Sequence, residues 1–293
     1  MTGDFRFGVN MVVPGSRAAW VEKCRKVEDL GYDVLSAADH LGLAPPFPAL
    51  VLAGEVTSRV KLNTFVLNTP FYNPVLLARD VTGTDQFTDG RLELGLGAGY
   101  VKEEFEAAGM PFPSARERVD HLERTVLALK RRYADPDHRP APVRPGGPPL
   151  LLAGRGDRVL TLAAEHADII GFTGTAKTPD GAPLAVAAVE EIDERVAFVR
   201  AKLGARASAV EFNLACQVVK LTNDRAAGLA ELHRLMGARL TPEQLGEVPT
   251  VFVGTPAQIA DQIRGHRERF GFTYFTVFEM SLDEFAPVLE ELR

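Results

Sequence analysis

The stretch from residue 89 to residue 100 constrains the fold of this chain more than any other. It opens with an Asp-Gly pair, which favours a turn, and continues with three leucines at alternate positions, as in a strand. Three glycines at alternate positions then occupy its end. The pattern predicts a strand that runs into a loop, and two explanations of the glycines stay open. Either the loop holds a flat ring or a phosphate group, or the glycines fill a tight barrel interior.

Strands and helices alternate along the whole chain of 293 residues. Eight apolar strands, each followed by a helix, predict a (β/α)8 TIM barrel, with a doubly wound open sheet as the second choice. A ninth strand candidate, residues 250–253, is assigned outside the barrel, and the proline-rich segment 135–149 is interpreted as a surface loop. Residues 1–293 are therefore expected to form one domain. The predicted strands are 6–13, 33–38, 61–67, the 89–100 stretch, 150–153, 168–172, 210–219 and 274–278.

Several classes of protein are excluded by composition and spacing. The glycines read G-x-G-x-G, which is not the G-x-G-x-x-G of a dinucleotide-binding fold. A net charge of −6 with scattered basic residues argues against nucleic-acid binding. The two cysteines lie far apart without metal-ligand spacing, so we expect no metal site. We expect a cytoplasmic protein without a membrane segment, since neither a signal sequence nor a long apolar run is present.

The loops after the carboxyl ends of barrel strands are where a TIM barrel carries its active site. Those loops contain no nucleophile–base pair, metal cluster or paired carboxylates. Glycines, aromatic residues and one Asp-His pair are present instead, a set suited to a flat cofactor that brings its own chemistry. The expected rim residues are Asn10, Asp39, His40, 65–68, 97–100, 154–156, Phe172, Gln217 and Glu279. The histidines at 121, 138, 166, 233 and 266 are expected on the surface.

Five motifs, in this order along the chain, resemble those of a known family. They are Ala-Asp-His at 38–40, Asn-Pro at 73–74, the ten residues 91–100, Leu-Ala-Gly-Arg-Gly at 152–156 and Val-Gly-Thr-Pro at 253–256. Together they resemble the bacterial luciferase-like family of flavin and deazaflavin barrels. Within that family the chain is most similar to the oxidoreductases that use coenzyme F420, an 8-hydroxy-5-deazaflavin.

The resemblance implies a role for each part of the rim. The ring would lie in the barrel mouth against a non-prolyl cis peptide at Phe65–Val66, with Asn68 behind it and Asp39 in contact with it. His40 would act on the substrate. Gly97, Gly99 and Tyr100 would line the phosphate-bearing tail, and Gly154, Arg155 and Gly156 would close on the phosphate at a helix amino terminus. Tyr100 stands where sugar-phosphate-oxidising relatives carry a glutamate, which argues against that reaction here.

Three functions stay open at this stage. The leading hypothesis is an oxidoreductase that transfers a hydride between F420 and a small, largely apolar organic substrate. The alternatives are an FMN-dependent monooxygenase of the same fold and a barrel that binds the cofactor without turning it over. The loops 42–47, 173–183 and 239–249 carry few charges, which favours an apolar substrate. The family resemblance also implies a homodimer.

Overall fold

The fold is described from a computed structural model, which covers residues 5–176, 185–236 and 240–293. Its main sheet is parallel and closed, because β3 and β4 together pair with β5 while the last strand pairs with the first. The (β/α)8 barrel is thus confirmed and the open sheet is wrong. The strands in chain order are β1 (Arg6–Met11), β2 (Val34–Ala37), β3 (Lys61–Thr64), β4 (Leu67–Asn68), β5 (Leu92–Gly97), β6 (Leu150–Gly154), β7 (Ile169–Phe172), β8 (Glu211–Ala215), β9 (Val218–Leu221), β10 (Val251–Gly254) and β11 (Phe272–Phe278).

Helices follow the barrel strands and begin at capping residues that the sequence supplies. Ser114 and Glu117 form a capping box at the start of α5, as do Thr255 and Gln258 at the start of α10. No helix in the described ranges is long and apolar enough to cross a membrane. The helices are α1 (Arg17–Asp29), α2 (Pro46–Val56), α3 (Pro74–Phe87), α4 (Lys102–Ala107), α5 (Ala115–Ala134), α6 (Asp157–His166), α7 (Val189–Leu203), α8 (Arg225–Met236), α9 (Pro242–Glu247), α10 (Pro256–Phe270) and α11 (Leu282–Leu292).

Two predicted strands, 61–67 and 210–219, are each divided in the structure. The first is interrupted between β3 and β4. The second stays in the barrel only as β8, because the chain then leaves the sheet and β9 pairs in parallel with β10. The placement of residues 250–253 outside the barrel is therefore confirmed, and β9 is a strand of the same outer pair.

The first predicted strand, 6–13, also ends early. β1 stops at Met11 because the next two backbone N–H groups, of Val12 and Val13, donate to the Glu279 carboxylate at 2.8 and 2.7 Å. Glu279 is buried and forms an ion pair with Lys23. A side chain from the last barrel strand's end thus holds the loop that follows the first strand.

The interruption between β3 and β4 is bridged by threonine hydroxyls. Thr64 Oγ1 donates to the carbonyl of Gly95 and accepts from its N–H, each at 2.8 Å. Thr69 Oγ1 donates to the carbonyl of Gly97 at 2.7 Å. The backbone polar groups of β5 keep hydrogen-bond partners where the neighbouring strand departs, as burial requires. The barrel therefore stays closed while its third strand bulges at the mouth.

The barrel interior is polar at its amino-terminal end. Arg6 bridges Glu93 and Glu211, with 2.5 Å between nitrogen and oxygen in each pair. All three residues lie at or beside the amino-terminal ends of their strands. This ion cluster closes the end of the barrel opposite the mouth, while apolar residues fill the layer between the strands and the surrounding helices.

Two histidines expected on the surface, His138 and His266, are buried. His266 lies on α10 with ring centroids 6.1 Å from Phe252 and 5.7 Å from Phe270. The sequence hid this because its neighbours in the chain are charged, and only the packing of α10 on the barrel turns the imidazole inward. Burial, with a smaller contribution from Arg269, lowers the pKa of His266 to about 4.

Replacing His266 with Phe is expected to flatten the pH dependence of stability. Since the pKa of the buried imidazole is below the ordinary 6.5, the unfolded chain takes up a proton first, and stability is lost as the pH falls from 6.5 towards 4. The loss amounts to about 2 kcal/mol between about pH 7 and pH 5. Urea unfolding at several pH values measures it. Phe270→Leu, which changes the same buried cluster without removing a titratable group, should keep the wild-type slope, and an equal slope in His266→Phe would contradict the assignment.

Candidate functional site

The barrel mouth brings together residues that follow β2, β3 and β5. The peptide between Phe65 and Val66 is cis, which confirms the prediction at this bond. Asp39 accepts hydrogen bonds at its Oδ2 from the backbone N–H of Asn68, at 2.8 Å, and from the Tyr72 hydroxyl, at 3.1 Å. One carboxylate thus fixes the bulged segment after β3 against the end of β2. Burial raises the pKa of Asp39, although both hydrogen bonds act in the opposite direction.

His40 lies beside Asp39 but contacts a different element. Because β2 ends at Ala37, the side chains of Asp39 and His40 need not point to opposite faces of the sheet, and both reach the mouth. His40 Nδ1 lies 2.8 Å from Glu104 Oε1, which also accepts the Leu41 N–H at 3.2 Å. The Tyr100 ring stands edge-on to the imidazole at 6.1 Å between centroids.

The sequence did not predict Glu104 as a site residue. The resemblance directs attention to position 100, directly after the glycines, where this chain has an exposed tyrosine. Glu104 lies one helical turn further on, in the first turn of α4, and reaches back to the mouth. The signal was the acidic start of a short helix after the glycine loop, which is also an ordinary feature of helix amino termini.

The glycines of the 89–100 stretch pack closely against the bulged segment between β3 and β4. A Cβ atom at Gly97 would lie 2.6 Å from Val66 Cγ2, and one at Gly99 would lie 2.0 Å from Asn68 Oδ1. Gly99 also has a φ of +71°, which disfavours any other residue. Of the two explanations left open by the sequence, close packing in the barrel accounts for both positions. Lining of a cofactor tail by these residues stays a prediction.

An apolar cavity of about 240 Å³ opens at the ends of β1 and β2, and its lining includes Ala38 and Leu43, which precede and follow Asp39 and His40 in the chain. The Trp20 ring forms part of its wall and is held by a hydrogen bond from Nε1 to the Ala49 carbonyl, at 3.1 Å. Arg17 is its one charged lining residue among the described ranges. Other lining residues are Met11, Val12, Ala37, Pro45 and Leu52. Of the loops expected to shape the substrate pocket, 42–47 contributes here, whereas residues 177–183 and 239 lie outside the described ranges.

A second cavity, of about 400 Å³, lies where the chain passes from β6 into α6. Gly154, Arg155 and Gly156 line it, and Gly156 caps α6 without a side chain, so N–H groups of the first turn face outward. Arg195 of α7 also lines it, forms an ion pair with Asp157 and donates to the Arg155 carbonyl at 3.3 Å. Sequence reasoning did not predict Arg195, because α7 is distant in the chain from this loop.

Two buried amide oxygens at the mouth, Asn10 Oδ1 and Asn68 Oδ1, have no hydrogen-bond partner in the described part of the chain. Buried acceptors of this kind are seldom left unpaired, so they point to a ligand group that donates hydrogen bonds.

Gln217 donates to the Thr173 carbonyl at 3.0 Å, and Glu279 holds the loop after β1. These two rim residues therefore have structural partners. No group of three metal-ligating side chains converges within residues 5–176, 185–236 and 240–293.

The sequence profile of the luciferase-like monooxygenases matches residues 5–274. The chain belongs to the luciferase-like monooxygenase family. That family membership confirms the resemblance inferred from the five motifs, which are distributed over the same range.

Individual relatives in this family match over part of their length. An F420-dependent glucose-6-phosphate dehydrogenase of Intrasporangium calvum is 33% identical over 126 residues, covering 39% of this chain and 38% of the relative. An FMNH(2)-dependent dimethylsulfone monooxygenase of Pseudomonas putida is 27% identical over 192 residues, covering 60% of this chain and 49% of the relative. The chain thus matches less than half the length of either enzyme.

A solved structure of an F420-dependent secondary alcohol dehydrogenase, in complex with an F420-acetone adduct, has the same fold. It aligns with a TM-score of 0.73 and 16% identity, covering 99% of this chain and 100% of the other. Such a likeness over both whole chains establishes the luciferase-like barrel. At this identity it does not extend to the activity.

Replacing Gly99 with Ala is expected to destabilise the protein by more than the cost of placing a side chain on a residue with a positive φ. Gly109 is the matched control, because it has a φ of +67° but no atom within 4 Å of its Cβ direction. We expect Gly109→Ala to cost about 1–2 kcal/mol from backbone conformation, and Gly99→Ala a further 1–3 kcal/mol from overlap with Asn68. Urea denaturation measures both, and equal losses would contradict the close-packing explanation.

Proposed function

We propose that this protein is an oxidoreductase that transfers a hydride between coenzyme F420 and a small, largely apolar organic substrate. The observation that carries the proposal is an imidazole, His40, at the mouth of a luciferase-like barrel, where it contacts Glu104 and Tyr100 of the segment that follows the glycines. The F420-dependent relatives support the choice of cofactor.

The residues at the mouth fit a deazaflavin. The unpaired oxygens of Asn10 and Asn68 are buried acceptors suited to N–H groups of a pyrimidine-type ring. The amino terminus of α6 at Gly156, with Arg155 beside it, is suited to the phosphate of the tail. When bound, F420 supplies a two-electron hydride carrier.

His40 then has the role of moving the proton that accompanies the hydride. An acceptor that gains a hydride at carbon needs one proton to complete its two-electron reduction, and the imidazole supplies it. In the reverse direction the same nitrogen takes the proton while the hydride leaves. Asp39 holds the bulged segment after β3 in place, so that Phe65, Val66 and Asn68 back the ring.

The cavity at the ends of β1 and β2 favours a small neutral substrate. Its lining is mostly apolar, Arg17 is its one charged residue in the described part of the chain, and its volume of about 240 Å³ is below the range typical of ligand pockets. A sugar phosphate would need several cations and polar partners there. Tyr100 in place of a glutamate argues in the same direction.

The second candidate is an FMN-dependent monooxygenase, which the similarity to the dimethylsulfone enzyme favours. A barrel that binds the cofactor without turnover is the third. We also propose that residues 1–293 form a single domain that acts in the cytoplasm without nucleic-acid or membrane partners, and that the protein is a homodimer. The family profile over residues 5–274 supports the single domain.

A substrate panel tests the proposed reaction. Under anaerobic conditions the protein is mixed with reduced F420 and small ketones or enones, and separately with oxidised F420 and the matching alcohols or phosphorylated sugars, and the redox state of the cofactor is followed by its absorbance. We expect turnover with the small apolar compounds and none with phosphorylated sugars. Turnover confined to phosphorylated sugars would contradict the substrate class, and binding without any turnover would favour the third candidate.

Replacing Arg155 with Ala is expected to weaken cofactor binding by about 1–3 kcal/mol, because a charge-assisted hydrogen bond to the phosphate is lost. Fluorescence titration with F420 gives the Kd. Arg158→Ala is the matched control, since Arg158 lies in the first turn of α6, just after the 154–156 loop, and pairs with Asp120 of α5. Unchanged affinity in Arg155→Ala would remove this side chain from the site and leave only the backbone of 154–156.

Replacing His40 with Ala is expected to lower kcat by about 10²–10⁴ if the imidazole transfers the proton. The Kd for F420 should change little, because the imidazole is placed at the substrate side of the ring. His233→Ala, on α8 where the ring contacts the Leu240 carbonyl, should retain wild-type turnover. A loss of less than about threefold in His40→Ala would mean that His40 only packs in the loop after β2.

A further inference from the structure

We propose that Glu104 is a positioning residue for His40: its carboxylate holds the imidazole in the tautomer that carries the proton on Nδ1 and leaves Nε2 to face the substrate. The inference rests on the proposed function in so far as it concerns turnover. It also makes a claim about the protein without cofactor, which can be tested separately.

The contact is specific in its geometry. Glu104 Oε1 lies 2.8 Å from His40 Nδ1 and accepts the Leu41 N–H at 3.2 Å. A carboxylate only accepts hydrogen bonds, so the nitrogen at 2.8 Å must be the one that carries a proton. One oxygen therefore fixes both the ring and the backbone immediately after it.

The remaining ring nitrogen is available for chemistry. His40 Nε2 has no hydrogen-bond partner within the described ranges, and the side chain is 38% exposed, whereas that of Glu104 is 12% exposed. With Nδ1 protonated, neutral Nε2 is an acceptor, and the protonated ring is a donor at the same atom. An acid that orients the tautomer of a catalytic histidine is a recurring arrangement in enzymes.

Glu104 supplies a carboxylate near the mouth in a chain that has a tyrosine, and no glutamate, at position 100. α4 begins at Lys102, and its first turn carries Glu103 towards solvent and Glu104 towards the mouth. The acid thus stands behind the histidine, where it cannot touch the substrate side directly. It acts through the ring, and the Asp39 carboxylate interacts electrostatically with both members of the pair.

A purely structural role is the competing explanation, in which Glu104 only anchors Leu41. Both explanations predict some loss of stability in a variant, so stability cannot distinguish them. The tautomer of His40 can. The neutral amide of Gln at position 104 can turn either its oxygen or its NH2 group towards Nδ1, so it no longer dictates which ring nitrogen is protonated.

The test is nitrogen NMR of the cofactor-free protein labelled with ¹⁵N-histidine, at about pH 8, where an ordinary imidazole is neutral. His40→Asn identifies the His40 signals by their disappearance. In wild type we expect Nδ1 to be the protonated nitrogen and Nε2 the unprotonated one. In Glu104→Gln we expect both His40 nitrogen signals to move to values averaged over the two tautomers. In Glu104→Asp we expect signals between those of Glu104→Gln and wild type, and in Glu103→Gln the wild-type signals.

Kinetics with the loaded enzyme give the second readout. Glu104→Gln should lower kcat about 10- to 100-fold, less than removal of His40, with the Kd for F420 unchanged within about twofold. The inference is overturned if His40 carries its proton on Nε2 in wild type, if Glu104→Gln leaves the tautomer unchanged, or if it leaves kcat unchanged. If the proposed function is wrong, the wild-type protein will show no turnover. The nitrogen spectra will still show whether Glu104 fixes the tautomer of His40.

Discussion

The structure of the mouth depends on how the third barrel strand leaves the sheet and returns to it. Between β3 and β4 the backbone bulges, and the hydroxyls of Thr64 and Thr69 take over hydrogen bonds to Gly95 and Gly97 of the next strand. Asp39 holds the returning segment at Asn68. Without these side-chain bonds, buried backbone groups of β5 would lack partners, which costs about 1–3 kcal/mol each.

The same bulge accounts for the glycines and for the polar groups at the mouth. Val66 and Asn68 occupy the space that side chains at positions 97 and 99 would need. The bulge carries an unpaired amide oxygen to the mouth, while the glycine loop leads into α4 and brings Glu104 to His40. The bulge of one strand thus determines the packing of the glycine loop at the mouth.

The sequence predicted the features that depend on local patterns and on the family's motifs. The alternation of strands and helices gave the barrel, and the family resemblance placed the cis peptide at Phe65–Val66. Contacts between distant segments were not predictable, because no spacing rule links them. Glu104 meets His40 across 64 residues, Arg195 meets Asp157 across 38, and His266 is buried by helix packing that its charged neighbours conceal.

The central claim is that the mouth of this luciferase-like barrel is built for a deazaflavin that carries a hydride. Paired fluorescence titrations of the purified protein with F420 and with FMN, each followed by reductant under air with an oxygen electrode, test it most directly. The account predicts that F420 binds with the lower Kd and that no oxygen is consumed beyond the protein-free rate. Tighter binding of FMN together with oxygen consumption would contradict it and favour the monooxygenase.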